Sequence, residues 1–376
     1  MDSQVSETPR SGRHPVDDTH QKPGNQGSSK NDQPINRGQR IEHVPGSEIQ
    51  ISSKFTAGDS NTKIFSVKFN YEDKYIACAC ENGTIRVFNT RNGALTTTFS
   101  SSRPNIPFSY VRWRPPGHSF KTKNVFVTLN SEGEIQHFHL ASGKLLSTIK
   151  HDSFDPQLFC LDYNLDTTKF SVCGSEPIIK VYDEETRKLD VKLGGEQTFP
   201  PGHSSRVYCV KYDKEDPNVI YTGGWDYRVI IWDLRENKPK KNGIYGPLIC
   251  GDGIDLYGQY ILTSSWTNSN QLQIWDRRNY KLVSDIDWDG TLKTTFDPVF
   301  LYSGQFSKAD GTLILAGGSN TNEVKLFDRE NQNKAFCCIT ELSREVNTVD
   351  FGNEGEMFAF SGGDGLLRVF QMNIKA

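Results

Sequence analysis

One aromatic residue recurs along this chain at nearly constant spacing. Phe88, Phe138, Tyr182, Trp232, Trp275, Phe327 and Phe370 each close a short apolar run, at a mean interval of 47 residues. The next residue is Asn89, His139, Asp183, Asp233, Asp276, Asp328 or Gln371, polar every time and Asp in four of the seven. Six positions before the aromatic stand Asn82, Glu132, Glu176, Asp226 and Asp364 in five units, so a polar turn leads into the same strand. Self-similarity at a fixed period of this length marks a repeat architecture, in which each copy buries its apolar face only by stacking on its neighbours. Around the aromatics, runs rich in Val, Ile, Phe, Tyr and Thr alternate with Gly, Asn, Asp and Pro clusters, and helical periodicity is scarce. That is the pattern of many short strands, so the fold class is all-β.

The fourth unit is the most explicit. It reads Gly202-His203-Ser-Ser-Arg-Val-Tyr-Cys-Val-Lys-Tyr, then Val219-Ile-Tyr-Thr222-Gly-Gly-Trp225-Asp226, then Val229-Ile-Ile-Trp232-Asp233. This resembles the WD-repeat family, whose units are the four-stranded blades of a propeller and usually run about 40 to 45 residues. The resemblance covers about Ile49 to Ala376 and implies a seven-bladed β-propeller. It also implies a buried tetrad of His203, Thr222, Asp226 and Trp232, in which the carboxylate and the ring donors satisfy one another. A catalytic His-Asp-Thr set is the competing interpretation, and it fails because a nucleophile needs an open cleft. No other blade carries a Gly-His at the matching place; Gly117-His118 falls in a Pro-rich loop too close to Phe138 to correspond. Those blades are expected to rely mainly on packing.

The ends of the chain differ from its middle. Met1 to Gly46 contains no Phe, Tyr, Trp or Leu and is dominated by Ser, Gln, Asn, Asp, Gly and Pro. Such a segment cannot bury enough apolar surface to offset its ordering entropy, so residues 1–46 are expected to be a disordered tail before a propeller spanning 47–376. Only six residues follow Phe370, too few for a turn and the outer strand of a seventh blade. Glu48-Ile-Gln-Ile-Ser-Ser-Lys-Phe55 begins with strand alternation and resembles the family's closing strand. With it every blade has four strands, and no long unpaired edge remains to promote aggregation. A ring closed in this way is expected to be monomeric by itself.

Composition narrows the chemistry. A net charge of -3 gives no basic footprint for a phosphate backbone, so direct nucleic-acid binding is not expected. No apolar run reaches the roughly 18 to 20 residues of a membrane span, and the start lacks the basic and apolar regions of a secretory signal, so membrane insertion is not expected and a reducing, cytoplasmic location is. The eight cysteines, Cys78, Cys80, Cys160, Cys173, Cys209, Cys250, Cys337 and Cys338, lie mostly in strand-like runs and read as buried thiols. Cys78 and Cys80 share a strand face but lack two further ligands at metal-site spacing, so no metal, cofactor or catalytic residue is assigned.

What remains is partner binding. The turns Thr222-Gly-Gly-Trp225 and Thr263-Ser-Ser-Trp266 place Trp225 and Trp266 at equivalent points of adjacent blades, and Trp is enriched at binding hot spots. Trp232-Asp233-Leu234-Arg235 and Trp275-Asp276-Arg277-Arg278 resemble the adaptor motif of WD-repeat substrate receptors in cullin-RING ubiquitin ligases. In that motif Trp232, Asp233 and Arg235, or Trp275, Asp276 and Arg278, would meet the adaptor; the alternative is a salt bridge at the blade edge. The resemblance therefore implies protein partners in a larger complex. Either the chain is a scaffold, with cytoskeletal or ciliary assemblies as hosts, or it is a ligase receptor.

Overall fold

A computed structural model describes residues 39–374 except 102, 104, 117–122, 151–156, 196–200, 241–242 and 294–296. Residues 1–38, which hold most of the segment expected to be a tail, and the Gly117-His118 pair lie outside the described residues. Every regular element among those described is a β-strand. They form seven antiparallel sheets, one per sequence unit.

The recurring aromatic explains why each unit closes on itself. Every one stands on the third strand of its sheet, directly opposite an apolar residue of the second: Phe88 faces Ile76, Phe138 faces Phe126, Tyr182 faces Phe170, Trp232 faces Ile220, Trp275 faces Ile261, Phe327 faces Ile314 and Phe370 faces Phe358. Cross-strand pairs of this kind are the unit of sheet stabilisation, and three of them are stacked ring pairs, with centroids 5.6, 5.2 and 5.0 Å apart in blades two, three and seven.

The seven sheets are the blades of a closed ring. Their innermost strands are Ile64–Phe69, Phe108–Trp113, Leu158–Tyr163, Val207–Tyr212, Ile254–Tyr257, Phe300–Phe306 and Val346–Phe351. Each touches the next, and the last returns to the first. Side chains rivet neighbouring blades near the axis. Asp162 accepts from the Tyr212 amide, Asp255 from Phe306 and Asp350 from Phe69, at 2.8–2.9 Å, while the Gln305 amide oxygen accepts from Phe351 at 2.7 Å. These acceptors satisfy amides that would otherwise be orphaned where blades meet.

The seventh blade takes its outer strand from the other end of the chain. Ile49–Gly58 pairs with Leu366–Ile374, starting with Ile49 opposite Ile374 and ending with Gly58 opposite Leu366. Gly58 has φ +107°, and a Cβ there would lie 2.5 Å from the Gly365 carbonyl, so only glycine fits where this strand turns off.

Among the described residues, strand structure is already present before residue 47. Arg40–His43 adds a fifth strand to blade six, with Arg40 opposite Thr340 and His43 opposite Cys337, and the Val44 amide donates to the Phe336 carbonyl. The strand it covers, Lys334–Thr340, is buried from Ala335 to Ile339, whereas the outer strands of blades one, two, three and five are largely exposed. An apolar edge strand is a template for aggregation unless something caps it, and here the chain's own N-terminal segment does so.

Candidate functional site

Blade four holds the hydrogen-bonded chain on which its sequence centres. The Trp232 indole donates to Thr222 Oγ1 at 2.7 Å; Thr222 Oγ1 and His203 Nε2 are 2.8 Å apart; His203 Nδ1 and Asp226 Oδ2 are 2.8 Å apart. Thr222 has one hydroxyl proton, and the His203 nitrogen is a nearer acceptor than the Ile230 carbonyl at 3.4 Å. Trp232, Thr222, His203 and Asp226 thus form one continuous hydrogen-bonded chain, in which the donor and acceptor roles of the imidazole follow its tautomer. Burial would raise the Asp226 pKa, but the bonds from His203 and the Ser204 amide, 3.1 Å away, hold it below its ordinary value. The result pins the turn at Trp225-Asp226 to the loop at Gly202-His203. His203 and Thr222 are buried within the blade, and three cavities of about 340 to 450 Å³ among the described residues are lined by other side chains.

Five of the other six blades carry a polar fastening at the matching place. Blade five keeps its indole-to-hydroxyl half, with Trp275 donating to Thr263 at 2.9 Å. In blades one, three, six and seven the residue two before the closing aromatic is basic and enters an ion pair: Arg86 with Asp59 at 2.7 Å, Lys180 with Glu176 at 3.0 Å, Lys325 with Glu323 at 3.5 Å and Arg368 with Asp364 at 2.6 Å. Packing, the main support expected of these blades, is supplemented by this electrostatic fastening.

Trp225 is 42% exposed at the end of that pinned turn. Its ring lies 5.8 Å from Tyr208, which stacks on Phe159 at 4.6 Å with the planes 6° apart. Arg206 sits over the Trp225 ring, and the indole donates to the Cys250 sulfur at 3.3 Å. Outward on the same blade, Tyr227 and Tyr245 are 52% and 66% exposed, and Arg228 lies over the Tyr245 ring. Trp266 differs: it is half-buried, 4.8 Å from Phe300, with its indole nitrogen enclosed and unpartnered among the described residues.

The two Trp-Asp-x-Arg segments are folded onto themselves. Trp232 is fully buried in the tetrad and Trp275 is half-buried. Arg235 donates to Asp233 and reaches Asp216 at 3.0 Å, and Arg278 forms a 2.6 Å bond to Asp276. Arg277 crosses to blade four and pairs with Asp213 at 3.0 Å. Both Arg235 and Arg278 remain more than half exposed.

Two rings of side chains line the axis, and neither is conspicuous in the sequence. In six blades the inner strand carries a β-bulge whose extra residue is skipped by the ladder: Phe65, Ser109, Phe159, Tyr208, Tyr302 and Asn347. A bulge re-aims the side chain it inserts, and all six line one cavity of about 450 Å³ at the mouth of the channel. In blade five the corresponding place belongs to Asp252, in the loop before a shortened inner strand. A Cβ on the preceding Gly251 would lie 2.4 Å from the Tyr302 carbonyl, so glycine lets this loop press against blade six.

Three residues further along each inner strand lies the second ring: Lys68, Arg112, Asp162, Lys211, Asp255, Gln305 and Asp350. Asp252 reaches into it and bonds Lys68 and Lys211 at 2.6 Å each, with Tyr110 donating at 3.1 Å. Asp252 lines the upper cavity while Lys68 and Lys211 line the lower one, about 340 Å³, so this ion triad is a septum across the channel. Burial would raise the Asp252 pKa, but the two ammonium groups hold it far below the carboxylate range. Cys160, Cys209 and Asp252 come within 4.8 Å of one another, a spacing that one ion could bridge. Both Asp252 oxygens already face ammonium groups, however, and burial pushes the Cys209 thiol up, which makes the set a poor cation site.

The family model described as WD domain, G-beta repeat matches residues 51–89 and 195–233. Each match ends one residue after a closing aromatic and takes in the first three strands of a blade, and the first match also begins within the closing strand Ile49–Gly58. The chain is 25% identical to protein transport protein SEC31 of Candida glabrata, over 66% of this chain and 19% of that protein. It is 24% identical to Elongator complex protein 2 of Mus musculus, over 57% of this chain and 26% of that protein. It is 22% identical to serine-threonine kinase receptor-associated protein of Dictyostelium discoideum, over 80% of this chain and 92% of that protein. The chain thus spans about a fifth to a quarter of the first two and most of the third.

Proposed function

Because this chain is a WD-repeat β-propeller, we propose that it is a non-catalytic scaffold that holds protein partners within a multiprotein assembly. The observation that carries this reading is the aromatic stripe that runs from Phe159 on blade three to Tyr208 at the channel mouth and on through Trp225 to Tyr227 and Tyr245 on blade four. It puts large, stiff, amphipathic rings on a turn the tetrad holds in place, so a partner gains apolar contact at little ordering cost. Two of the relatives, an Elongator complex protein and a receptor-associated protein, bear names that accord with life in assemblies. Trp225 is the principal anchor in this proposal and Trp266, packed on Phe300, supports the neighbouring rim. The expected setting is the cytoplasm, with cytoskeletal or ciliary assemblies as hosts.

The test is affinity purification of the tagged full chain beside its Trp225→Ala and Trp266→Ala variants, with a melting curve on each sample. A scaffold loses the same co-purifying proteins when Trp225 is removed, at an unchanged melting temperature. Trp266→Ala lowers the melting temperature as well. Tubulin or axonemal proteins in the eluate support the cytoskeletal host. A cullin with its adaptor, lost on changing Arg235 or Arg278 instead of Trp225, overturns the scaffold reading in favour of a ligase receptor.

A further inference from the structure

We propose that the loop platform of blade four, outward of the channel, binds an acidic linear segment of the partner, with Arg206 and Arg228 taking its carboxylates and Trp225, Tyr227 and Tyr245 its apolar residues. This rests on the scaffold reading and names the chemistry its partner must present. The platform is one hydrogen-bonded unit. The Trp225 amide donates to the Arg206 carbonyl at 3.0 Å, the Gly246 amide to Tyr227 at 2.9 Å, the Ile249 amide to Gly224 at 3.1 Å and the Trp266 amide to Leu248 at 2.8 Å. Loops tied in this way hold their side chains in place before a ligand arrives, which lowers the ordering cost of binding. None of the five residues lines the channel cavity. Of the four large aromatic side chains that stand exposed among the described residues, three are here.

Charge selects the partner. Across the loops 201–206, 225–228, 243–250 and 265–271 the one carboxylate is Asp226, and His203 and the Ser204 amide already engage it. The Arg206 guanidinium lies 5.8 Å from the Trp225 ring centre and that of Arg228 5.6 Å from the Tyr245 ring centre. Both are anchored, Arg206 by a bond to the Tyr208 side chain and Arg228 by a 3.0 Å bond to the Gly202 carbonyl. Arg86, Arg112, Arg235, Arg277 and Arg278 each pair with a carboxylate, whereas Arg206 and Arg228 form no such pair among the described residues. A guanidinium beside a ring keeps in-plane N–H donors that fit a carboxylate two at a time, while the ring takes apolar contact. A basic segment meets two cations with no acid to answer it, and a neutral segment leaves both cations unanswered. Two cations are too few for a phosphate backbone, whose binding rests on many such contacts, so a protein segment fits better than a nucleic acid.

The experiment titrates the full chain into fluorescein-labelled, capped peptides and follows anisotropy. The probes are Gly-Ser-Asp-Leu-Glu-Ser-Gly, its counterparts with Asn-Leu-Gln and Lys-Leu-Lys at the centre, and a short oligouridylate. The acidic peptide is expected to bind roughly tenfold tighter than the amide peptide and less tightly as salt rises, and the lysine peptide not at all. Arg206→Gln combined with Arg228→Gln should bring the acidic peptide down to the level of the amide peptide, which itself stays unchanged, and Tyr245→Ala should weaken both. Every variant is melted alongside. If the double variant melts below wild type, Arg206→Glu decides alone, because that side chain is exposed, and it should weaken the acidic peptide several-fold. Equal binding of the acidic and amide peptides, an acid preference that survives these changes, or oligouridylate binding tighter than the acidic peptide overturns the proposal. The two readings fail separately. If no acidic peptide binds while partners still depend on Trp225, the scaffold stands and the acid site falls. If the acidic peptide binds through Arg206 and Arg228 but no partner depends on Trp225, the reverse holds.

Discussion

Replacing Asp226 with alanine isolates what the blade-four tetrad contributes. The change removes the acceptor for His203 Nδ1 at 2.8 Å and for the Ser204 amide at 3.1 Å. Ser204 is exposed, so water replaces its lost partner, but the His203 side chain is fully enclosed and its donor is left orphaned. A buried donor without a partner costs about 1 to 3 kcal/mol. An offset applies, since the Asp226 Oδ1 atom is itself enclosed and unpartnered, and the change removes that atom too. The net loss should be about 2 kcal/mol, which at a urea slope near 3 kcal/mol/M lowers the midpoint by about 0.7 M. Asn82→Ala serves as the control, because Asn82 receives only the exposed Thr84 hydroxyl at 2.7 Å and should shift the midpoint by less than about 0.2 M. Asp226→Asn keeps an oxygen for His203 and should lie between the two. Urea unfolding of the three variants at pH 7, with slopes compared, is the assay. Equal midpoints for Asp226→Ala and Asn82→Ala would refute a stabilising role for the blade-four tetrad.

Asp252→Asn should cost about 3 kcal/mol in denaturant midpoint, since it strands the buried Lys211 ammonium, while Lys68 keeps Asp350 at 3.7 Å. Because the Asp252 pKa is depressed in the folded chain, its stabilisation is complete above the unfolded value near 4 and is lost as pH falls from about 5 toward the folded value; the gap between wild type and variant should therefore shrink between pH 5 and pH 3, and a constant gap would contradict the septum. Deleting residues 1–39 should leave the melting temperature unchanged, deleting 1–46 should lower it modestly and raise aggregation by uncovering Cys337 and Ile339, and deleting through Gly58 should abolish the cooperative transition in calorimetry. Equal melting for the last two truncations would remove the closing strand from the ring.

Seven blades were legible because the closing aromatic has a fixed partner on the adjacent strand, and an interaction that is local in every copy leaves a periodic trace. The tetrad residues were legible for the same reason, lying within one blade. Asp252 was not: Cys250-Gly-Asp-Gly reads as an ordinary turn, and Lys68 is 184 residues away, so nothing local announces the pair. The mouth residues were missed because a bulge breaks strand alternation by one position, so that Phe159 or Tyr302 reads as one more apolar residue in a run. Their signal is positional, three residues before the Lys68-to-Asp350 ring, and it emerges only after the blades are aligned. Arg40–His43 has neither alternation nor β-branched enrichment beyond Ile41; what orders it is the apolar edge of blade six, almost 300 residues downstream.

Joining Ile49–Gly58 to Leu366–Ile374 also sets a timetable for the newborn chain. Lys54 meets Gln371 across 317 residues, so the last blade cannot be completed until Gln371 has left the ribosome. At about 5 to 20 residues per second that wait is roughly 15 to 60 seconds, long compared with the microseconds in which a hairpin forms. Blades one to six can assemble in order meanwhile, but as an open arc whose two ends each present an unsatisfied wall. Such an intermediate is the species most exposed to proteases and to pairing with another nascent arc, and holding its ends apart until Leu366–Ile374 arrives is a task for a chaperone. Translation stalled just short of Leu366 should therefore yield a soluble arc only while it stays tethered and dilute.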